Sequence, residues 1–418
     1  MTKILLRWLI VLLVILSLTS CNSSSTNGIT TVTLSGWQSS PTEKQRIEQV
    51  LKDFQTTHPH INVKFEVITD QYMDVIRTRL IGDAAPDVFY LDASEAPLLM
   101  SNGVLEPLDN YITPDLDLAD FKPGFLEAFK YNGRTYGLPK DFSTLGLFYN
   151  KKLFEKAGLS TPPKTWDELE DYSQKLTLDR NQDGRREQYG LGIVPELPRQ
   201  YFMIKAFDGD LANEQGYATF ASPNSLKGLQ DVINQYRKDR SSVVPSDVGA
   251  SSASEMLGQG RVGMVIEGNW AIPYLQETFP TIEFGTTEIP SINGKAGTMA
   301  YTVAYVMNKQ AKHKNEAWEL ISYLTGKEGM KAWSKGGVVL PTRNSVLAEL
   351  GYDNSPLYLP FIKGADYATL WQAQETLPII VTHFNNQFLS ALIGEQILQV
   401  AMNKAQRLAN EEIQEANY

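Results

Sequence analysis

The order in which apolar patterns change their period constrains this chain most. Between residues 31 and 91, strand-like and helix-like patterns alternate. Thr31 to Leu34 reads as a strand, and a helix follows with its start spelled out: Ser40 as N-cap, Pro41 at the first helical position, and Glu43 completing a capping box. Ile47, Val50, Leu51 and Phe54 then fall on one helical face. Ile61, Val63, Phe65 and Val67 alternate as a second strand, Tyr72 to Leu80 is helical, and Val88 to Leu91 is a short buried strand after Pro86-Asp87. The order β-α-β-α-β predicts an α/β fold whose sheet is mostly parallel and covered by helices. Its ligand crevice should lie beyond the carboxyl ends of the strands, bordered by the loops Gly36 to Ser40 and Asp92 to Glu95. The same grammar recurs in the capping box Thr165-Trp166-Asp167-Glu168 and in the stripe Ala317, Leu320, Ile321, Leu324. From Gln387 onward there is one Gly, Gly394, and no Pro, so this stretch should be largely helical. A length of 418 residues suggests two or three globular units at roughly 150 residues each.

Residues 1–20 have a different character. Lys3 and Arg7 precede an apolar run from Trp8 to Leu16, too short for a membrane span of about twenty residues and typical of a secretory signal. Leu18-Thr19-Ser20-Cys21 then places the only Cys of the chain after small residues, which is the pattern of a lipoprotein processing site with Cys21 as the lipidated residue. Residues 21–28, with Asn22 to Asn27 lacking any apolar side chain, should form a flexible leash to the membrane. A single Cys also rules out an internal disulfide framework.

Composition excludes several functions. Lys and Arg number 38 against 48 Asp and Glu, and no basic block occurs, so nucleic acid is not an expected partner. Signatures of zinc proteases, α/β-hydrolases and P-loop enzymes are absent, and no pair of carboxylates is singled out for glycoside hydrolysis. His58-Pro59-His60 reads as a surface turn. Asp179, Asn181, Asp183 and Glu187 stand at positions 1, 3, 5 and 9 of a calcium-loop pattern that also includes Arg185, with Gly184 at position 6. Position 12 is Gly190, however, so the alternative is a turn before a strand at Tyr189 to Leu191. Any calcium there would be structural, and no other cofactor is expected. Trp37, Tyr90, Tyr201, Trp270, Tyr301 and Trp371 lie outside helical stripes, whereas Trp166, Trp318 and Trp333 sit on helices as core residues. A flat aromatic with polar neighbours suits a sugar ring, whose C–H face packs on the ring while its hydroxyls need carboxylate or amide partners.

Five segments carry a resemblance: Pro86-Asp87-Val88-Phe89-Tyr90-Leu91-Asp92, Gly137-Leu138-Pro139, Leu147-Phe148-Tyr149-Asn150-Lys151, Gly268-Asn269-Trp270 and Leu340-Pro341-Thr342-Arg343. In them the chain resembles the family 1 extracellular solute-binding proteins, which include the maltose- and trehalose-binding proteins of ABC importers. The resemblance implies two α/β lobes with the ligand held in the cleft between them and captured by hinge closure. It implies an N-terminal lobe of 29–141 and 303–345, a C-terminal lobe of 146–300 and 346–418, and crossings at 142–145, 301–302 and 344–346. By the same resemblance Trp37 and Gln38 touch sugar, Asp92 lies near a carboxylate that accepts sugar hydroxyls, and Tyr201 and Trp270 are aromatic walls. Tyr301 lies at a crossover, Arg343 follows the Leu-Pro-Thr signature, and Trp371 is near a third stacking position. Where relatives carry an acid, this chain has Ser143-Thr144, so one contact is weakened or moved.

The function expected is that of a lipid-anchored, monomeric receptor that delivers an oligosaccharide or sugar-like osmolyte to an ABC permease. Two rivals stay open: a receptor for a polyamine, iron complex or other small cationic solute, and an anchored carbohydrate-active enzyme.

Overall fold

The computed structural model describes residues 28–38, 41–183, 186–373 and 375–416. The signal segment 1–20, Cys21, the leash to Asn27, the N-cap Ser40 and Arg185 of the calcium pattern lie outside the described residues.

The chain opens with β1 (Thr30–Gly36), α1 (Pro41–Thr57), β2 (Ile61–Val67), α2 (Tyr72–Ile81) and β3 (Val88–Asp92). β1 lies parallel to both β2 and β3, the arrangement expected of helix crossovers. The buried residues Ile47, Val50, Leu51 and Phe54 make the helix face that covers the sheet. β4 (Gly137–Asn150) is a strand of 14 residues. After it come α3 (Trp166–Leu176), β5 (Tyr189–Gly192), α4 (Leu197–Ala206), α5 (Pro223–Arg237), β6 (Ser242–Val243), β7 (Val262–Gly268) and β8 (Phe284–Thr287). β9 (Met299–Met307), α6 (Lys314–Thr325), α7 (Lys327–Ser334), β10 (Thr369–Leu370), α8 (Leu377–Ile393) and α9 (Leu398–Ala416) follow. Gly394 ends α8 at φ 91, a left-handed conformation that glycine adopts without a side-chain clash.

One sheet joins both lobes in the order β2-β1-β3-β9-β4-β7-β5-β6, with β8 beside β4 and β10 beside β9. The outer strands are parallel as the alternation predicts, but β9 runs antiparallel to β3 and β4, and β4 runs antiparallel to β7 and β8. β4 is shared: Gly137 to Thr144 pair with β9, and Leu145 to Tyr149 pair with β7. In β9, Val303 faces Asp141 and Ala304 faces Pro139, so Lys140 is the extra residue of a bulge just before the expected crossing.

Two main cores flank this junction. Val32, Leu34, Phe54, Val88, Leu320 and Trp333 belong to one, and Leu169, Leu191, Leu229, Phe384 and Ala405 belong to the other. Thr165 caps α3 by accepting a hydrogen bond from the Glu168 N–H, while Glu168 reaches back to the Lys164 N–H rather than to that of Thr165. Near the third expected crossing, the Ser345 N–H and hydroxyl both bond to Asp120, Val346 packs into the first core, and Leu347 packs with Phe142 and Phe361.

Candidate functional site

An open cavity of about 440 Å³ lies between the lobes, with Pro97, Met100, Glu127 and Tyr131 on one side and Tyr201, Asp210 and Gln372 on the other. The Gln372 side chain donates to the carbonyls of Ala93 and Ala128, at 3.0 and 2.8 Å, and so joins the segment after Trp371 to the floor beneath Asp92.

The residues expected on the N-terminal wall lie at the carboxyl ends of β1 and β3, outside the lining of that cavity. The half-buried Trp37 stands edge-on to Tyr72 and Tyr90, with centroids 4.9 and 5.3 Å away. The Tyr72 hydroxyl sits 3.1 Å from both Ser35 O and Tyr90 O and accepts from the Tyr90 N–H, pinning β1 to β3 below the wall. Gly36 is needed there, since a Cβ would meet the Tyr90 ring at 2.6 Å. Among the described residues, none hydrogen-bonds to the buried Gln38 Oε1. Asp92, the last residue of β3, accepts through Oδ1 from the N–H and hydroxyl of Ser94. Burial pushes its carboxyl up to about 6; the Ser94 bonds oppose the rise, and the charges of Glu95 and Asp141 add to it.

Trp270, expected on the C-terminal wall, is half-buried at the start of the helix Ala271–Thr278 and does not line that cavity. The Arg199 guanidinium lies 5.3 Å from its ring centroid and the Tyr301 ring 6.1 Å away at 62°. Arg199 pairs with Glu267 at 2.8 Å, and the Tyr301 hydroxyl donates to Pro198 O. The Tyr201 hydroxyl donates to Asp210 at 2.5 Å, and its ring lies 6.4 Å from that of Trp371.

Several expected contacts are placed elsewhere. Tyr90 is 1% exposed, packed against Trp37, Phe65 and Tyr305 in the first core, because β3 runs through the middle of the sheet and its side chains are covered on both faces. Arg343 is likewise 1% exposed: its donors meet the carbonyls of Leu116, Asp117 and Thr325 and the Asp120 carboxylate, so it ties loops of one lobe together and does not face ligand. Thr144 is fully buried with its hydroxyl on Phe361 O, and Ser143 is buried beside Tyr301 on the shared strand. Trp371 is 8% exposed and packs in the second core, with Gln372 and Ala373 reaching the cavity in its place.

The structure brings Arg199 and Glu267 against Trp270 and places Gln372 on the cavity. Each adjoins a singled-out position (Glu267 opens Gly268-Asn269-Trp270, Gln372 follows Trp371, and Arg199 precedes Tyr201 by two), yet nothing in the sequence pairs them. In the calcium pattern, Glu187 caps the Arg180 N–H, the Asp183 N–H donates to Asn181, and the Asn181 amide donates to Asp183, an arrangement typical of Asx turns. Among the described residues no group of three or more His, Cys, Asp or Glu is placed to hold a metal ion.

Comparison with known proteins gives the same architecture. The chain is 26% identical over 345 residues to the maltotriose-binding protein of Pyrococcus abyssi, covering 79% of this chain and 70% of that one. An ABC substrate-binding protein from Listeria monocytogenes in complex with cycloalternan superposes with a TM-score of 0.82 at 22% identity, over 92% of this chain and 99% of the other. A solute-binding protein of an ABC transporter from Thermotoga lettingae, bound with alpha-D-tagatose, gives 0.78 at 26% identity over 91% and 99%. The profile of the bacterial extracellular solute-binding proteins matches residues 38–331, and this chain belongs to that family.

Proposed function

We propose that this protein captures a neutral sugar or short oligosaccharide between its lobes and presents it to the permease of an ABC importer, tethered to the membrane by lipid on Cys21. The observation that carries this reading is the charge balance of the cleft. Glu267 is paired with Arg199, Asp141 with Lys140, Glu95 with Arg77 and Asp210 with Lys205. Glu127, which lines the cavity, is paired with Lys130, whereas Asp92 bonds to a serine hydroxyl and a backbone N–H, so of these acids Asp92 alone has no cationic partner among the described residues. A polyamine would need several free acids, whereas a polyhydroxy ligand needs acceptors and a flat apolar wall. A volume of about 440 Å³ is in the range of small-molecule sites. The relatives' ligands, maltotriose, tagatose and cycloalternan, are all carbohydrates.

The test is a thermal-shift panel of maltotriose, mannotriose, tagatose, mannitol and spermidine. A sugar present at about 100-fold over its Kd should stabilise by roughly 2.7 kcal/mol. Stabilisation by spermidine alone would transfer the reading to a cation receptor, and release of reducing sugar would transfer it to an enzyme. Calcium in the Asp179 to Glu187 loop is a separate structural proposal, read out by the melting temperature across chelation and re-addition.

A further inference from the structure

We infer that Arg199, held by Glu267, is a positioning residue that fixes the orientation of the Trp270 ring. This rests on the reading of Trp270 as a ligand wall but goes beyond it, since it assigns what orients that wall. Trp270 needs such a device: its backbone is already helical (φ −58, ψ −23) and its ring is only half-buried. Three neighbours define the ring plane. Beneath it is Gly268, where a Cβ would come within 2.1 Å of the indole, so the ring lies directly over that backbone. The edge-on Tyr301 ring stands to one side, fixed by its hydroxyl bond to Pro198 O. The third is the Arg199 guanidinium, 5.3 Å from the centroid.

Arg199 is itself immobilised. Its Nη1 donates to Glu267 Oε2 at 2.8 Å, and the same oxygen accepts from the Gly268 N–H at 3.2 Å. Glu267 is 4% exposed on β7, where it pairs with Gly146 of the shared strand β4. The carboxylate therefore connects the cation and the glycine that both approach the ring with the strand that joins the lobes. A buried ion pair is often no more stabilising than a well-packed apolar pair. What a planar guanidinium supplies here, and an aliphatic side chain would not, is a preferred orientation over an indole face. Glu267 also cancels the positive charge, so Arg199 orients the wall without drawing anions to it.

The test needs no ligand to begin. The protein is labelled with 5-fluorotryptophan, and the Trp270 fluorine line is assigned by its loss in Trp270→Phe. In Arg199→Met that line should move and broaden while the other tryptophan lines stay, and Arg199→Lys should fail to restore it because an ammonium has no plane to stack. Glu267→Gln should broaden the line less, since the guanidinium remains but is no longer fixed by charge. For a panel sugar that binds, Arg199→Met should weaken affinity about five-fold or more. An unchanged Trp270 line in Arg199→Met, or full restoration by Arg199→Lys, would overturn the inference, as would a lower melting temperature with the line unmoved. If Arg199→Met does not fold, the Arg199→Lys and Glu267→Gln spectra decide in the same way. If no sugar of the panel binds, the sugar reading fails while the fluorine spectra still judge the role of Arg199.

Discussion

Two tryptophans that look alike in the sequence are separated by their surroundings. Trp371 is 8% exposed within the second core, so Trp371→Ala should cost about 3–5 kcal/mol of stability. Trp270 is half-buried, and Trp270→Ala should cost affinity, on the order of 1–3 kcal/mol by analogy with stacked bases, with far less change in stability. Calorimetry and thermal denaturation of both variants check this pair of outcomes. Asp92 gives a pH dependence whose sign is fixed by its raised carboxyl at about 6. Sugar hydroxyls donate to the ionised form, so affinity should fall as pH drops through about 6. The buried charge works against folding: the stability associated with this group is fully present below an unfolded value near 3.8 and is lost as pH rises through about 6. Asp92→Asn should therefore raise stability at pH 8 and lower affinity for a neutral sugar, and titrations at pH 5 and pH 8 read both effects. Tyr90 and Arg343 could not be placed from sequence, because an aromatic at a strand end and an arginine after a proline look the same whether they face a ligand or a covered loop. Burial on both faces of β3 decides the first, and the three carbonyls around Arg343 decide the second.

Elements were more legible than side chains. Periodicity is a property of one segment, and β1 through β3 with their two helices follow it to within a residue or two. The calcium pattern shows the opposite case, in which the spacing of Asp179, Asn181 and Asp183 serves equally well to close turns through their own backbone. Close packing of elements makes its own demand at Gly190 on β5. A Cβ there would lie 2.1 Å from Ser173 O and 2.2 Å from Ser173 Cα, both backbone atoms of α3. Neither can rotate away, so Gly190→Ala must push α3 off the sheet. Overpacking of this kind typically costs about 1–3 kcal/mol, and a backbone clash belongs at or above the top of that range. Denaturant unfolding of Gly190→Ala measures it, and wild-type stability would show that α3 shifts freely.

At the scale of the molecule, the candidate site is legible only in fragments, since its candidate residues 37, 92, 199, 267, 270, 301 and 372 are scattered along the chain and no local pattern joins them. The lipid anchor is predicted by sequence alone. Cys21→Ala should leave a folded protein that no longer partitions with detergent, and unchanged partitioning would disprove the anchor. The place of β9 has a further consequence, for how the chain is made. β9 lies between β3 and β4 in the sheet, although it begins 149 residues after the end of β4 and 207 after the end of β3. The first lobe cannot close its sheet until residue 307 has been synthesised, which at roughly 5–20 residues per second takes on the order of 15–60 s. Throughout that interval β3 and β4 lack their shared neighbour, and the sheet of the first lobe stays open. For an exported chain, completion of β9 is therefore the expected moment at which the protein becomes too folded to cross a membrane.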